Sequence, residues 1–107
     1  MKKVWEIMVP TSNNNGKPYR TRYHRVWDKK VRDITGGLTI FKPVIGNWVS
    51  PDKILYVERM IPVRIIATNE EIDEIIKFTM KYYEQEAILA YVISIEVKLV
   101  HKNDLKG

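Results

Sequence analysis

The chain has 107 residues, of which 45% are hydrophobic and 29% charged, and its formal net charge is +5 at neutral pH. A chain of this length forms one domain that buries roughly two-thirds of its unfolded surface, which is enough for a core without covalent staples. The sequence contains no cysteine, which excludes a disulfide framework and thiolate metal sites.

The N-terminal residues bear on the compartment. Lys2 and Lys3 resemble the start of a signal peptide, but Glu6 and Pro10 interrupt the apolar stretch that would follow. No apolar run approaches the length that crosses a bilayer. We therefore expect a single cytoplasmic domain over residues 1–107, without membrane association, with a core at 3–99, a flexible loop at 10–20 and a frayed tail at 100–107.

The chain begins with a predicted strand and a polar loop. Residues 3–9 alternate, with Val4, Glu6 and Met8 on one face and larger apolar side chains on the other. The connection that follows, PTSNNNGKPYR, is rich in residues that form turns.

Residues 22–35 have the period of an amphipathic helix, because apolar side chains recur every three or four positions: Tyr23, Val26, Trp27, Val31 and Ile34. Gly36 and Gly37 then end the helix. Its opposite stripe is basic and consists of Arg22, Arg25, Lys29 and Arg32. Residues 17–34 hold seven basic and two acidic side chains, so this segment alone equals the net charge of +5. Such a local positive field favours a negatively charged partner.

Two more strands are expected before the second helix. Residues 38–44 have strand composition, Gly46 and Asn47 indicate a turn or bulge before Trp48, and residues 54–67 form a long extended segment. Pro62 cannot donate to a ladder, so we expect a bulge near it, matched by Pro43.

The second helix has the clearest start signal. Thr68 and Glu71 have the spacing of a capping box, and the stripe predicted to be buried is Ile72, Ile75, Ile76, Thr79, Met80 and Tyr83. The last strand is predicted over residues 87–99. Alternation there places one apolar set on one face and begins the other face with Ile88, Ala90 and Val92.

The order β-α-β-β-α-β predicts an α+β, ferredoxin-like sandwich, in which a four-stranded antiparallel sheet carries two helices on one face. Right-handed crossovers place the first and third strands in the centre. The open face of the sheet is too apolar for solvent and too charged for a core, so we expect a second copy of the chain to cover it. The homodimer, or larger homo-oligomer, would bury Val4, Met8, Met60, Ile88, Ala90 and Val92.

Charged residues on the same face raise the question of catalysis. Glu6, Glu58 and Arg64 could approach one another there, and buried carboxylates act as general acids or bases. A structural ion pair with Arg64 is the interpretation we prefer, because cross-strand ion pairs are ordinary.

The predicted ligand site lies where the first loop meets the first helix. Amides at a helix N-terminus bind anions, and glycine and asparagine permit the backbone angles of an anion nest. Arginines would clamp phosphate oxygens while aromatic rings stack on a base. The predicted site residues are Asn14, Asn15, Gly16, Lys17, Tyr19, Arg20, Arg22, Tyr23, Arg25 and Trp48.

Stronger motifs are missing from the sequence. It has neither P-loop spacing nor G-x-G-x-x-G, so a solvated helix face with a surface loop is the alternative. His24 is flanked by arginine and His101 lies in the tail, without clustered carboxylates, so we expect no metal and no cofactor. No serine lies in an elbow or triad pattern.

The central part of the chain resembles a family of small bacterial proteins of unknown function. The residues that carry the resemblance are a G-L-T strand at 37–39, a G-x-W turn at 46–48, Glu58, and QEAI at 85–88. The match spans about residues 36–91, whereas the asparagine loop and the arginine-rich helix depart from the pattern. The resemblance implies an α+β fold and assigns no activity.

These observations favour a non-catalytic, oligomeric binding protein for an anionic, phosphate-bearing ligand such as a nucleotide or cyclic nucleotide. The alternative is an enzyme of the dimeric α/β-barrel type that acts on a small organic substrate, with Glu6, Glu58 or His24 transferring protons. A third hypothesis is nucleic-acid binding through the basic helix, which predicts strongly salt-dependent affinity.

Overall fold

One antiparallel sheet organises the chain. The computed structural model describes residues 1–105, which form, in order, β1 (Lys3–Pro10), α1 (Thr21–Thr35), β2 (Thr39–Ile40), β3 (Val44–Val49), β4 (Leu55–Ala67), α2 (Asn69–Tyr82), β5 (Ala90–Ser94) and a 3-10 turn (Lys102–Leu105). The strand order is β2-β4-β1-β5, and β3 also pairs with β4. The predicted ferredoxin-like α+β fold is confirmed, with β1 and β4 in the centre.

The sheet has five strands rather than the predicted four, because the second strand is divided. Ile40 of β2 pairs with Val63, and Val44 of β3 pairs with Met60. Three residues (41–43) lie between these pairs on one side of the ladder, but only two (61 and 62) lie between them on β4. This is the bulge expected near Pro62 and Pro43. The Phe41 N–H donates to the Pro62 carbonyl at 3.0 Å, so the Pro62 nitrogen faces this gap, where no donor is needed. The turn predicted at Gly46 and Asn47 is wrong, since both lie inside β3.

β5 is shorter than the predicted strand over residues 87–99. The Ser94 hydroxyl accepts from the Glu96 N–H at 3.1 Å and donates to the Glu96 carbonyl at 2.9 Å, which turns the chain after β5. The C-terminal residues 100–107, predicted to be frayed, contain the 3-10 turn Lys102–Leu105. Residues 106 and 107 lie outside the described part of the chain.

The pairing of β5 also reverses its predicted faces. Ala90 lies opposite Ile7, which belongs to the core under the helices. Val92 lies opposite Trp5, which packs against that core. Ile88 packs against the same core. The prediction that Ile88, Ala90 and Val92 lie on the open face is therefore wrong. A change of one residue in register moves every side chain of a strand to the other face.

The start of α2 and the end of α1 are as their sequences predict. Thr68 Oγ1 accepts from the Glu71 N–H, and the Glu71 carboxylate accepts from the Thr68 N–H, which completes the capping box of α2. Gly36 ends α1 with a φ of 94°, a conformation that glycine adopts without strain. The helices cover β1 and the second half of β4, and the fully buried side chains there include Trp27, Ile75 and Tyr83.

The remaining part of the sheet projects from this body. We call residues 44–60, which comprise β3, its turn and the first half of β4, the arm, and the rest of the sheet with its two helices the body. The molecule measures 58 × 30 × 24 Å and has a radius of gyration of 15.8 Å, against about 13 Å for a compact domain of this length. No helix in the part of the chain that the structure describes combines the length and apolar character needed to cross a membrane.

Candidate functional site

The loop between β1 and α1 has a defined turn. Asn13 Oδ1 accepts hydrogen bonds from the N–H groups of Asn15 and Lys17, each at 2.9 Å. Gly16 has a φ of 80°, which allows the chain to reverse there. This side-chain-supported turn is typical of asparagine-rich loops.

The same loop is attached to both neighbouring regions. Thr11 Oγ1 donates to the Arg59 carbonyl on the arm at 2.9 Å. Asn14 Nδ2 donates to the Glu84 carbonyl, just beyond α2, at 3.1 Å. The loop therefore connects the arm to the end of the second helix.

A cleft lies between these three elements. Its volume is about 990 Å³, and it is lined by residues of the loop, the arm and the segment 84–89. Small-molecule sites occupy roughly 300–1,000 Å³, so the cleft has room for a ligand with a ring system and polar substituents.

Two aromatic rings form the arm side of the cleft. Trp48 and Tyr56 are directly paired across β3 and β4 and both line the cleft, with 39% and 49% of their surfaces exposed. Gly46, on the same face, leaves room for the end of the Met60 side chain beside Trp48. A flat ligand can stack on these rings because neither is covered by the body.

The charges around the cleft are mostly negative. The residues with charged side chains that line it are Glu58, Glu84, Glu86 and Arg59. Carboxylates accept hydrogen bonds from hydroxyl and amino groups and repel phosphates. The lining is therefore suited to a neutral or cationic polar group.

Tyr19 and Tyr23, predicted to stack on a ligand, belong to an aromatic cluster between the loop and the two helices. Tyr19 donates to the Tyr83 carbonyl at 3.0 Å. Tyr23 stacks on Tyr82 with ring centroids 4.1 Å apart, and each of these two hydroxyls donates to the other residue's carbonyl. Burial raises the pKa of Tyr19 and of Tyr23. Their hydroxyl protons are used to fix α1 against α2.

His24 lies at the edge of this cluster. Its Nδ1 is 2.6 Å from the hydroxyl of the buried Tyr83. Burial lowers the pKa of His24, partly opposed by the nearby Asp28 carboxylate. Burial raises the pKa of Tyr83, because it disfavours the charged phenolate just as it disfavours the charged imidazolium. The imidazole is thus held in its neutral form at neutral pH, hydrogen-bonded inside the body and away from the cleft.

The basic residues of the predicted site lie on the surface. Arg20, Arg22 and Arg25 are exposed, and they line neither the cleft nor the second cavity described below. Lys17 and Asn15 are exposed on the loop. Of the predicted residues, the structure brings together in the cleft Asn14, Gly16 and Trp48.

The cleft residues that sequence reasoning missed are Tyr56, Glu84 and Glu86. Tyr56 is recognisable only from its pairing with Trp48, and the two glutamates only from the contact between the loop and the end of α2. A correct register for β3 would have revealed Tyr56, whereas no local signal marks the glutamates.

The carboxylates proposed as proton-transfer groups are far apart. Arg64 Nε donates to Glu6 Oε1 at 3.1 Å, and Tyr91 donates to the other oxygen of Glu6, which raises the pKa of Tyr91. Glu58 is six residues from Arg64 along β4, or roughly 20 Å. The Glu6–Arg64 ion pair is confirmed, and the approach of Glu58 to it is wrong, because the arm carries Glu58 away from the body.

Neither the cleft nor a second cavity lies between the helices and the sheet. The second cavity, of about 840 Å³, is bounded by the end of α1, the end of β4 and residues 95–99. Among residues 1–105, no group of three or more histidine, aspartate or glutamate side chains is placed to hold a metal ion.

Comparisons with known proteins bear on the fold. No family model matches the sequence, and no curated protein matches it, so the resemblance to the bacterial family stays a prediction. Among solved structures, the chain is similar to the divalent cation tolerance protein CutA1 of Thermus thermophilus, with a TM-score of 0.69, 10% identity, and coverage of 92% of this chain and 88% of that one.

Two further structures have the same arrangement. The periplasmic divalent cation tolerance protein CutA of Archaeoglobus fulgidus gives a TM-score of 0.68 at 13% identity, with 92% of this chain and 88% of that one covered. A phage SAM lyase in complex with S-methyl-5'-thioadenosine gives 0.66 at 13% identity, with 87% and 81% covered. At these identities the likeness establishes the ferredoxin-like fold, and the function has to be argued from the cleft itself.

Proposed function

We propose that this protein is a binding protein for a ligand of the nucleoside class, held in the cleft between the loop, the arm and residues 84–89. The observation that carries the proposal is the exposed ring pair Trp48 and Tyr56 facing a carboxylate-lined cavity of about 990 Å³. A nucleoside combines a flat base with a sugar that bears hydroxyl donors, and the two halves of the cleft offer partners for both.

The rings would supply most of the affinity. Stacking of a base on an aromatic side chain contributes about 1–3 kcal/mol, and Trp48 and Tyr56 are already held side by side by the β3–β4 ladder. A preorganised geometry lowers the entropy lost on binding. The carboxylates of Glu58 and Glu86 would accept hydrogen bonds from sugar hydroxyl or base amino groups.

The phosphate-bearing ligand expected from the sequence is a second version of this proposal. Inside the cleft a phosphate would meet three glutamates and one arginine, so it would have to lie outside, toward the exposed Lys17 and Arg20 on the loop and the start of α1. The two versions therefore differ in whether a 5'-phosphate weakens or strengthens binding.

One structural neighbour supports the ligand class. The phage SAM lyase of the same fold is described in complex with S-methyl-5'-thioadenosine, which is a nucleoside thioether. A fold of this size thus accommodates a nucleoside, although the likeness at 13% identity assigns no activity to this chain.

Calorimetric titration tests both versions with adenosine, S-methyl-5'-thioadenosine, AMP and cyclic AMP. We expect the uncharged nucleosides to bind and Trp48→Ala to weaken binding by about tenfold to a hundredfold, since one stacked ring is lost. The phosphate version instead predicts tighter binding of AMP than of adenosine, and a loss of that advantage in Arg20→Ala.

The matched control is Phe41→Ala, which removes an exposed ring that stacks under Arg64, outside the cleft. It should leave nucleoside affinity unchanged. Failure of all four compounds to bind at millimolar concentration would contradict the proposal, as would equal affinity of the wild type and Trp48→Ala.

Catalysis is a second candidate because Glu58 lines the same cleft. Incubation with the bound nucleoside, followed by chromatography, would reveal products, and Glu58→Gln should abolish their formation while ligand still binds. Nucleic-acid binding is the third candidate, favoured by the exposed Arg22, Arg25 and Arg32 on α1, and it predicts a steep decrease in duplex affinity with salt.

We also propose that the protein is a cytoplasmic homo-oligomer. The surface predicted to carry the contact was the open face of the sheet. Within one chain Met60 is already buried, Val4 and Met8 are half-buried, and Glu6 is paired with Arg64. On the same face Ile66 and Tyr91, which lie opposite Val4 and Glu6, are 42% and 37% exposed, so the open face can contribute to self-association.

A further inference from the structure

We infer that copies of this chain assemble head to tail by strand addition. Residues 95–100 of one copy, which we call the tail and which precede the 3-10 turn, would pair along the outer edge of the arm of the next copy. In the assembly the added strand would stand beside the cleft, whose role as a nucleoside site rests on the function proposed above. The inference depends on surface area, on the apolar face of the arm, and on unpaired main chain at two distant places.

The surface area of a single copy is too large for a compact monomer. The chain exposes 8062 Å², whereas a folded monomer of its mass exposes about 6,200 Å². The difference, about 1,900 Å², exceeds the roughly 800 Å² that each partner buries in a stable interface of standard size. Self-association would therefore bury an area sufficient for a stable complex.

The arm concentrates this excess on one face. Ile45, Val49, Leu55 and Val57 alternate onto the same side of the β3–β4 hairpin, and between 60% and 71% of each residue's surface is exposed. A contiguous apolar patch of this kind marks an interaction surface. Of these four residues, Val57 alone lines the cleft.

The outer edge of the arm also has unpaired main-chain groups. The Arg59 carbonyl points to the β1 side, where Thr11 donates to it. Because main-chain groups alternate along a strand, the amides and carbonyls of Val57 and Leu55 point the same way. β1 pairing ends at Pro10 opposite Met60, so no described strand pairs with that edge beyond Met60. An unprotected edge of this kind recruits another strand.

The tail is the complementary element. Its sequence alternates like a strand through residue 99, yet its pairing stops at Ser94. Ile95 and Leu99 are 66% and 77% exposed. The tail thus has a strand pattern and apolar side chains without a strand partner in its own chain among the described residues.

The tail and the arm of one chain lie too far apart to pair with each other. The tail borders the second cavity together with Arg64 and Ile66. Val57 lies seven residues from Arg64 along β4, or roughly 23 Å. A partner for each therefore comes from another copy, and a contact between two different surfaces generates a ring or a filament rather than a two-fold dimer.

Light scattering on the ligand-free, full-length protein at micromolar concentration tests the assembly. The wild type should have an integer multiple, three or more, of the mass of one chain. Val57→Pro removes only the outward N–H of an edge strand, and Leu55→Lys is a second arm variant. Both should weaken assembly at least about tenfold, as should the tail double variant Ile95→Asp with Leu99→Asp.

Val26→Asp is the matched control, since Val26 is a 55% exposed apolar residue on α1. It should assemble like the wild type. Circular dichroism confirms that each variant is folded, and the two arm variants are judged independently. A monomeric wild type would overturn the inference, and so would arm and tail variants that fold and assemble normally.

Mixing distinguishes head-to-tail pairing from a symmetric contact. An arm variant retains its tail and a tail variant retains its arm, so an equimolar mixture should form a complex of two chains although each variant alone is monomeric. Absence of this complex would overturn the head-to-tail arrangement. Because mass is measured without ligand, a failure of nucleosides to bind would contradict the proposed function and leave the assembly result unaffected.

The added strand should also affect the cleft. We expect Leu55→Lys, whose position lies outside the cleft lining, to bind adenosine more weakly once monomeric than the assembled wild type does. Equal affinity of the two would overturn the idea that the neighbouring copy closes the cleft.

Discussion

The body and the arm contain the same kinds of residues, but their apolar side chains are buried to different extents. In the body, isoleucine, valine and tryptophan side chains are covered by two helices, and hydroxyl groups such as that of Thr79 are hydrogen-bonded within the core. On the arm, Ile45, Val49 and Leu55 remain mostly exposed. The comparison indicates that one chain buries the apolar side chains of its body alone but not those of its arm, which is why we propose a ligand and a neighbouring copy at the arm.

The largest expected difference between the two regions concerns their tryptophans. Trp27 is 1% exposed and donates to Thr79 at 2.9 Å, so Trp27→Ala should lower the free energy of unfolding by about 3–5 kcal/mol. Trp48→Ala on the arm should lower it by about 1 kcal/mol or less, because 39% of the Trp48 surface is exposed, against 1% for Trp27. Urea unfolding measures both. Similar losses would show that the arm belongs to the same cooperative unit as the body.

The next effect concerns ion pairs. Glu6→Ala removes the buried carboxylate that binds Arg64 and Tyr91, and we expect a loss of about 1–2 kcal/mol in the free energy of unfolding. The value is moderate because water reaches the half-exposed guanidinium once the carboxylate is removed. Asp33→Ala, which breaks the exposed pair with Lys29, should cause no measurable change. If Glu6→Ala left the free energy of unfolding unchanged, the ion pair on the open face would contribute nothing to stability.

A smaller effect compares two hydroxyl caps. Thr68→Ala removes the capping box of α2 in the body and should cost about 1 kcal/mol. Ser50 Oγ accepts from the Ile54 N–H in the turn of the arm. Ser50→Ala should stay within about 0.5 kcal/mol in global unfolding, because the arm can open locally before the body unfolds. Thermal or urea unfolding of both variants tests the contrast.

The smallest effect concerns histidine titration. Burial lowers the folded-state pKa of His24 below its ordinary value of 6.5, so below pH 6.5 the unfolded state binds more protons than the folded state. The associated stability is complete above pH 6.5 and is lost as the pH falls toward the folded-state pKa. We expect a loss of about a few tenths of a kcal/mol, since the ring is only partly covered.

The measurement is urea unfolding at several pH values between 7 and 5. His24→Gln should flatten the profile, whereas His101→Gln, at a site on the surface of the tail, should leave it as it is. The raised pKa of Asp28 has the opposite effect at lower pH, because the folded state then binds more protons than the unfolded state and gains stability as the pH falls. A profile unchanged by His24→Gln would show that the buried histidine does not couple folding to protons.

Sequence alone determined several local features of this protein. The helical period of residues 22–35, the capping box at Thr68 and Glu71, and the bulge near Pro62 follow from covalent geometry and short-range hydrogen bonds, which every segment carries with it. The order of these elements then sufficed for the ferredoxin-like fold, because few right-handed topologies accommodate it.

Tertiary structure decided what register and distance control. The faces of β5 were reversed because a shift of one residue, invisible in an alternating apolar run, exchanges both sides of a strand. The cleft joins Asn14, Trp48 and Glu84, which lie 34 and 36 residues apart in sequence, so no local pattern could have assembled it. The basic residues of α1 dominated the sequence but line neither the cleft nor the second cavity, since net charge says how strongly a surface attracts ions and not where the chain leaves a space for them.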